Sequence, residues 1–322
     1  MSSEGRARAC SNIALIKYWG KSETGDNRTG VPSLSVSLEA LNTHTHVRFE
    51  PALVEDRVTL DGTPAGDKAK QRVVRLLDEL RALSGRTERA EVVSHNDFPT
   101  ASGLASSASG FAALALAAAA ALGLGSSVSE LSAIARRASA SAARSLFGGW
   151  VELLADADSA APVAAADWLD ISVVIALTTL GPKAVGSTEG MLRTQATSPY
   201  YPAWVKSAPG LFERAKAALL ARDFAVLGEA MERSTLMMHA SMLAAEPPLL
   251  YLRPATLSVL DSVRTLRGEG ILAYATMDAG PHVKVFVPAG DAARVHDTLA
   301  SLGGVERVIT SGVGSGARLV EG

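Results

Sequence analysis

The chain has 322 residues, 48% hydrophobic and 20% charged, which is enough apolar content for a full core and too much for wholesale disorder. Lys and Arg total 31 against 33 Asp and Glu, a net charge of −2, so there is no global basic footprint for nucleic acid or anionic lipid. Cys10 is the single cysteine, which excludes intrachain disulfides and cysteine-rich zinc sites, and the opening MSSEGRARAC lacks the apolar core of a signal peptide, so a cytoplasmic protein is expected.

Residues 33–38 and 43–49 alternate apolar with polar side chains, the period of half-buried strands. Residues 57–60 predict a further strand before the turn signal Asp61-Gly62. Over residues 68–83, Val73, Val74, Leu76, Leu77 and Leu80 recur at helical spacing, and residues 91–94 read as a short strand. No charge occurs from Pro99 to Val128. The first part of that segment is a Ser/Gly loop, and residues 111–122 are mostly alanine, which forms helix well but drives membrane insertion weakly. A buried, closely packed helix is expected there, not a membrane span.

Residues 129–143 predict another helix, ending near Gly148-Gly149, and residues 171–178 form the continuous apolar run of a buried strand. Helices are expected over 203–221, 224–244 and 254–268. Strands at 273–276 and 283–287 flank the turn Asp278-Ala279-Gly280-Pro281, followed by a helix over 291–302 and a strand over 305–310. Strands come in pairs with helices between them, without regular βα alternation, so the fold class is α+β in two lobes. The division is placed near 180–190, giving lobes 1–185 and 186–322.

The most specific local signal is Pro99-Thr-Ala-Ser102-Gly103-Leu104-Ala105-Ser106-Ser107-Ala108, between a strand and a long helix. Small residues let backbone N–H groups close on an anion, hydroxyls add donors, and a helix N-terminus adds positive partial charge. No Gly-Lys-Ser/Thr triplet ends it, so it is not a Walker A loop, and composition alone leaves a plain linker as the alternative. Lys17 and Lys21 flank Tyr18-Trp19 and would suit a substrate bearing carboxylate and phosphate, or else are surface lysines beside buried aromatics. Ser139, Ser141 and Arg144 lie among small residues that permit close approach of an oxyanion; helix packing with a surface Arg is the bland alternative. Asp278 sits in a tight turn, where a carboxylate either faces a cleft rigidly or merely serves the turn. His44 and His46 share a strand face without a third ligand beside them, and His239 reads as a packed, hydrogen-bonded histidine.

These blocks together carry a resemblance. Pro-x-x-x-Gly-Leu-x-Ser-Ser-Ala resembles the phosphate loop of the GHMP kinase superfamily. Asn12-Ile-Ala-Leu-Ile-Lys17-Tyr18-Trp19-Gly20-Lys21 is similar to the N-terminal signature of the diphosphomevalonate decarboxylase family. So are Asn96-Asp-Phe98-Pro99, the block from Arg136 to Ser145, Ser187-Thr188-Glu-Gly190-Met191, Met238-His239-Ala240 and Met277-Asp278-Ala279-Gly280-Pro281, in the family's order. The resemblance implies a GHMP kinase fold with a lobe like ribosomal protein S5 domain 2 and a ferredoxin-like C-terminal lobe. It implies ATP-dependent decarboxylation of mevalonate 5-diphosphate to isopentenyl diphosphate with Mg²⁺, in a homodimer. It places Asp278, Lys17 and Arg144 at the reacting centre, and Tyr18, Trp19, Gly20, Lys21, Arg72, Ser139, Ala140, Ser141, Ala142, Ala143 and Thr188 on the substrate. Ser102, Gly103, Leu104, Ala105, Ser106 and Ser107 are implied on ATP, with Ser106 also on Mg²⁺.

Three departures stand out. Ala138, Ala140 and Ala143 replace two glycines and a cysteine, residues 26–33 depart from Leu-Pro-x-Asn-x-Ser, and His282 replaces asparagine. A decarboxylase of mevalonate 5-phosphate, or a kinase stopping at the 3-hydroxyl, is the alternative; a non-catalytic ligand sensor on the same fold is the rival from another class.

Overall fold

The computed structural model describes residues 3–98, 104–179, 181 and 185–321. The chain opens with β1 (Ser3–Ile16), which pairs antiparallel along most of its length with β2 (Ser33–Glu50). The two stretches read as separate strands at 33–38 and 43–49 are one strand: the register slips between Cys10 and Ser11, and the pairing resumes across the slip. Next come β3 (Arg57–Leu60), β4 (Thr63–Pro64), α1 (Asp67–Ser84) and β5 (Arg89–Asn96), then α2 (Ser106–Ala121), which starts earlier than its alanine run.

The alanines of α2 have a packing reason. A Cβ at Gly5 of β1 would lie 2.2 Å from the Ala117 carbonyl oxygen, so helix and strand meet backbone to backbone. Side chains larger than methyl on that face would push the layers apart. Val73, Leu76, Leu77 and Leu80 of α1 join the same core, each contributing about 1.5–3 kcal/mol by leaving water.

The helix expected over 129–143 is broken. α3 (Val128–Ala138) starts in a capping box between Ser127 and Glu130 and stops at Ser139, and α4 (Ala142–Ser145) follows. Apolar spacing hides this break because Ala138 to Ala143 are helix-compatible by composition. The resulting turn places Ser139 and Ser141 in a cleft. Neither Ala138 nor Ala140 has positive φ, so the methyls that replace hydrogen there impose no left-handed strain.

After β6 (Trp150–Leu153) and β7 (Ala161–Ala164), β8 (Ile171–Leu177) enters a second sheet. α5 (Ser187–Thr197), α6 (Tyr201–Leu220), α7 (Phe224–Leu243) and α8 (Pro254–Gly268) lead to the hairpin of β9 (Tyr274–Met277) and β10 (Val283–Pro288). α9 (Ala292–Ala300), β11 (Arg307–Ser311) and β12 (Arg318–Leu319) complete the chain. The second sheet runs β11-β8-β10-β9, all antiparallel, the order of a ferredoxin-like split βαβ unit. Because β8 pairs with β10 and β11, the sheets divide between Ala164 and Ile171, earlier than the boundary at 185 drawn from the sequence.

Two features tie the lobes together. β12 returns to pair with β1 in the first sheet, which is ordered β12-β1-β2-β5-β3-β4 with β6 also on β2 and β7 on β6. One apolar cluster draws on both lobes, with Ile13, Leu15, Leu34 and Val36 packed with Val173, Ile175, Phe212, Met231 and Phe286. Among the described residues no helix is long and apolar enough to cross a membrane.

Candidate active site

A cleft of about 1020 Å³ opens where the lobes meet. Its wall takes Lys17, Tyr18, Trp19 and Lys21 from the end of β1, Arg72 from α1, Ala105 to Ser107 at the start of α2, Ser139 to Ser141 and Arg144 around the broken helix, Thr188 from α5 and Asp278 from the β9–β10 turn. Residues far apart in sequence thus converge on one surface. Gly20, Leu104, Ala142 and Ala143 do not line it. Leu104 is in the shared core, where its carbonyl accepts from Ser11 Oγ at 2.7 Å, and Ala142 and Ala143 are wholly buried behind the serine turn. Gly20 has φ +112°, and a Cβ there would strike the Tyr201 hydroxyl, so glycine lets the chain turn between Trp19 and Lys21. Ser102 and Gly103 lie outside the described residues.

Asp278 is the electrostatic centre. Lys17 Nζ donates to its Oδ1 at 2.7 Å and Lys284 Nζ to its Oδ2 at 3.3 Å. Burial opposes ionisation of the carboxyl, but the two ammonium groups outweigh it and hold its pKa far below the usual carboxylate range. At Lys17 the balance is reversed: burial lowers the ammonium to about 8, with the attraction of Asp278 offsetting only part of the cost. The carboxylate is ionised because two cations contact it directly. The Asp278 side chain remains 28% exposed, whereas both lysines are 2% exposed, so the carboxylate presents an edge to the cleft.

Behind this group the structure is stiffly braced. Ser234 Oγ accepts from the Lys17 backbone N–H at 2.9 Å, and Thr235 Oγ1 both donates to the Met277 carbonyl and accepts from its N–H. His239 Nε2 lies 3.1 Å from the Asp278 carbonyl oxygen; burial, with the Lys17 charge adding to it, lowers its pKa to about 4. The neutral ring can therefore donate to that carbonyl, as the sequence reading of a packed histidine expects. His282 Nδ1 accepts from the Thr178 N–H at 3.2 Å, which puts the substituted position behind the turn.

Arg144 is 2% exposed, and its guanidinium donates to Ser33 Oγ at 2.9 Å and Asn12 Oδ1 at 3.1 Å. Among the described residues its Nε has no partner. A buried guanidinium with an idle donor fits an anion such as a carboxylate. Tyr18 supports it through its ring, with the guanidinium carbon 5.4 Å from the centroid.

Across the cleft, Lys21 is lowered to about 8 by burial and then by the charges of Arg72 and Arg136. Its ammonium contacts Asn27 Oδ1, while Gln195 forms a two-way amide contact with the Lys21 peptide, 3.2 Å in each direction. Arg72 donates to the Ala138 carbonyl at 2.7 Å and stacks on Phe111, 4.6 Å from the centroid. Ser107, Ser139 and Ser141 form a chain of hydroxyls at 3.5 and 3.3 Å. Cations on one side and hydroxyls beside a helix N-terminus on the other are suited to phosphate groups.

Sequence reasoning gave no role to Lys284, Asn12 or Arg136. Lys284 carried a signal: it is the one cation in the buried run Val283–Pro288. Arg136 is wholly buried and binds Asp26 and the Asp158 carbonyl, fixing the loop that supplies Asn27. No local pattern distinguishes it from Arg137 next to it.

Among the described residues no three His, Cys, Asp or Glu side chains cluster as a metal cage. The Ser106 hydroxyl at the cleft, with phosphate oxygens and water as further ligands, fits the sparse protein coordination usual for Mg²⁺.

A split βαβ lobe joined to a lobe whose helix α2 begins at Ser106 and Ser107, in the cleft that also holds Asp278, defines an enzyme of the GHMP kinase fold. Residues 9–164 match the diphosphomevalonate decarboxylase-like N-terminal domain, and residues 173–317 match the mevalonate 5-diphosphate decarboxylase C-terminal domain. A diphosphomevalonate decarboxylase of Ganoderma lucidum is 36% identical over 313 residues, covering 88% of this chain and 78% of the relative. The crystal structure of mevalonate diphosphate decarboxylase from Staphylococcus aureus superposes with TM-score 0.94 at 36% identity, covering 100% of this chain and 99% of that one. A structure of MDDEF in complex with MVAPP, AMPPCP and magnesium superposes with TM-score 0.92 at 38% identity over 100% of both chains. The chain belongs to the diphosphomevalonate decarboxylase family.

Proposed function

We propose that this protein decarboxylates mevalonate 5-diphosphate at the expense of ATP, giving isopentenyl diphosphate, ADP, phosphate and CO₂. The observation that carries the reading is the ionised Asp278 held by Lys17 in the same cleft as Arg144 with its idle Nε. Phosphoryl transfer through a loose transition state asks little of a base and much of positioning. An Asp278 held far below neutral pKa is a weak base, so its role is to accept a hydrogen bond from the 3-hydroxyl and aim that oxygen at the γ-phosphorus. Ser106 is the proposed protein ligand of Mg²⁺, which would supply positive charge against the phosphate oxygens when bound.

Once the 3-oxygen is phosphorylated it leaves as phosphate, and Lys17 stabilises the departing charge. Carbon 3 becomes electron-deficient. The carboxylate held by Arg144 departs as CO₂, and the electron pair of its C–C bond becomes the new double bond. Tyr18, Trp19, Lys21, Arg72, Ser139, Ala140, Ser141 and Thr188 are the proposed substrate contacts, with Gly20, Ala142 and Ala143 shaping the wall behind them. Ala105, Ser106 and Ser107 are proposed for ATP, with Ser102 and Gly103 next to them in sequence and Leu104 anchoring the loop in the core. A homodimer and a cytoplasmic setting belong to the same reading, and sedimentation of the purified protein tests the first.

The decisive experiment incubates the protein with ATP, Mg²⁺ and mevalonate 5-diphosphate, following ADP and CO₂ separately. Equal release of both supports the reading. ADP without CO₂ makes the protein a 3-kinase, faster turnover of mevalonate 5-phosphate makes it a monophosphate decarboxylase, and binding without ADP makes it a sensor.

A further inference from the structure

Lys284 stands near the start of β10, paired with Ile175 of β8 on one side and Thr276 of β9 on the other. Val283 and Val285 turn into the core under α8 and α9, which directs Lys284 to the opposite face and to Asp278. An ammonium buried in a central strand is costly unless it is matched, and an apolar side chain would suit the position better by packing alone. The match is the second oxygen of the carboxylate whose first oxygen Lys17 holds.

The two tethers differ in origin. Lys17 comes from the first lobe, at the end of the strand that also carries Asn12, while Lys284 comes from the hairpin that carries Asp278 itself. Lys17 also lines the cleft, where arriving phosphoryl oxygens would compete with Oδ1 for its ammonium. A carboxylate held by Lys17 alone would then turn and lose the charge that keeps it ionised. The groups that face it are Lys17, Tyr18, Arg144, His239 and Lys284, and of these Lys284 contacts the other oxygen. Resting on the decarboxylase reading, we propose that Lys284 is a positioning residue that keeps Asp278 aimed at the 3-hydroxyl while Lys17 attends to the phosphoryl group.

The test is a double-mutant cycle read with steady-state kinetics. Lys284→Met should lower kcat roughly 10²-fold while KM for ATP and for mevalonate 5-diphosphate stays within about threefold. Lys284→Arg, which restores a cation, should recover at least about tenfold of that loss. In an Asp278→Asn background the same Lys284→Met change should cost less than about twofold, because its target is already gone. A kcat for Lys284→Met within twofold of wild type overturns the proposal, and so does an equal cost in both backgrounds, which would make Lys284 a structural lysine. If near-ultraviolet circular dichroism shows that Lys284→Met is unfolded, Lys284→Gln takes its place with the same outcomes. Wild-type protein that releases no CO₂ marks failure of the decarboxylase reading, which is distinct from an active wild type matched by an active Lys284→Met.

Discussion

In the proposed reaction, Arg144 is the residue that separates decarboxylation from simple phosphorylation. A guanidinium offers five N–H donors, and two of the Arg144 nitrogens are engaged by Ser33 and Asn12, leaving Nε turned to no protein acceptor among the described residues. Lysine would keep a charge but not the planar fork. Arg144→Lys should therefore lower CO₂ release by roughly 10–10³-fold. If ADP formation falls less than CO₂ release, the clamp acts on the carboxylate; if the two fall together, it acts on phosphorylation as well. The second residue-scale prediction concerns pH. Lys17 and Lys21, both lowered to about 8, are charged below that pH and neutral above it. Since kcat/KM reports the free enzyme, it should decline above pH 8 with a slope approaching −2, and bound anions should move the limb of kcat higher. Lys21→Arg, which stays charged, should reduce the slope to about −1. An unchanged slope would remove Lys21 from the binding of anionic substrate.

At the scale of elements, α2 and the β9–β10 turn do the presenting. Ala105 precedes α2 with φ +57°, a conformation disfavoured for a side chain, and it sets Ser106 and Ser107 at the helix N-terminus facing the cleft. Ser106→Ala should raise KM for ATP roughly 10–100-fold, the scale of one hydrogen bond to a charged group, with little change in melting temperature. A large fall in melting temperature with unaltered ATP kinetics would assign Ser106 to the fold instead. Much of this was legible in the residue pattern: α1, α7, α8 and the β9–β10 hairpin follow their apolar spacing closely. What escaped has physical reasons. β1 mixes small, charged and polar residues because its faces meet different neighbours, α2 on one side and the apolar cluster shared with the second lobe on the other, so no clean alternation marks it. The break at Ser139 escaped because alanine and serine carry no stop signal there. Lys284 and Arg136 escaped because a buried cation is recognisable only once its partner is in view.

Over the whole molecule the two lobes are distinct in topology but not in packing. The cluster containing Ile13, Leu34, Val173, Phe212 and Phe286 belongs to neither sheet alone, and β12 crosses back to β1. Large apolar interfaces of this kind couple domains into one unfolding unit. Thermal or denaturant unfolding should show one transition with coincident fluorescence and circular dichroism, and residues 1–170 expressed alone should lack near-ultraviolet dichroism. Two separated transitions would show that the lobes are independent.

That shared cluster also has a consequence in time. Ile13, Leu34 and Leu38 are synthesised first, yet Phe286 and Tyr274, which cover them, come some 240 residues later in the chain. At about 5–20 residues per second the apolar underside of β1 and β2 stays uncovered for on the order of 10–50 s on each ribosome. Nascent chains stalled near residue 180 should be cut by protease within β1–β2, whereas released full-length chains should resist. The join that lets the finished enzyme bring Lys17 to Asp278 thus leaves each new copy exposed to aggregation until its last third has been made.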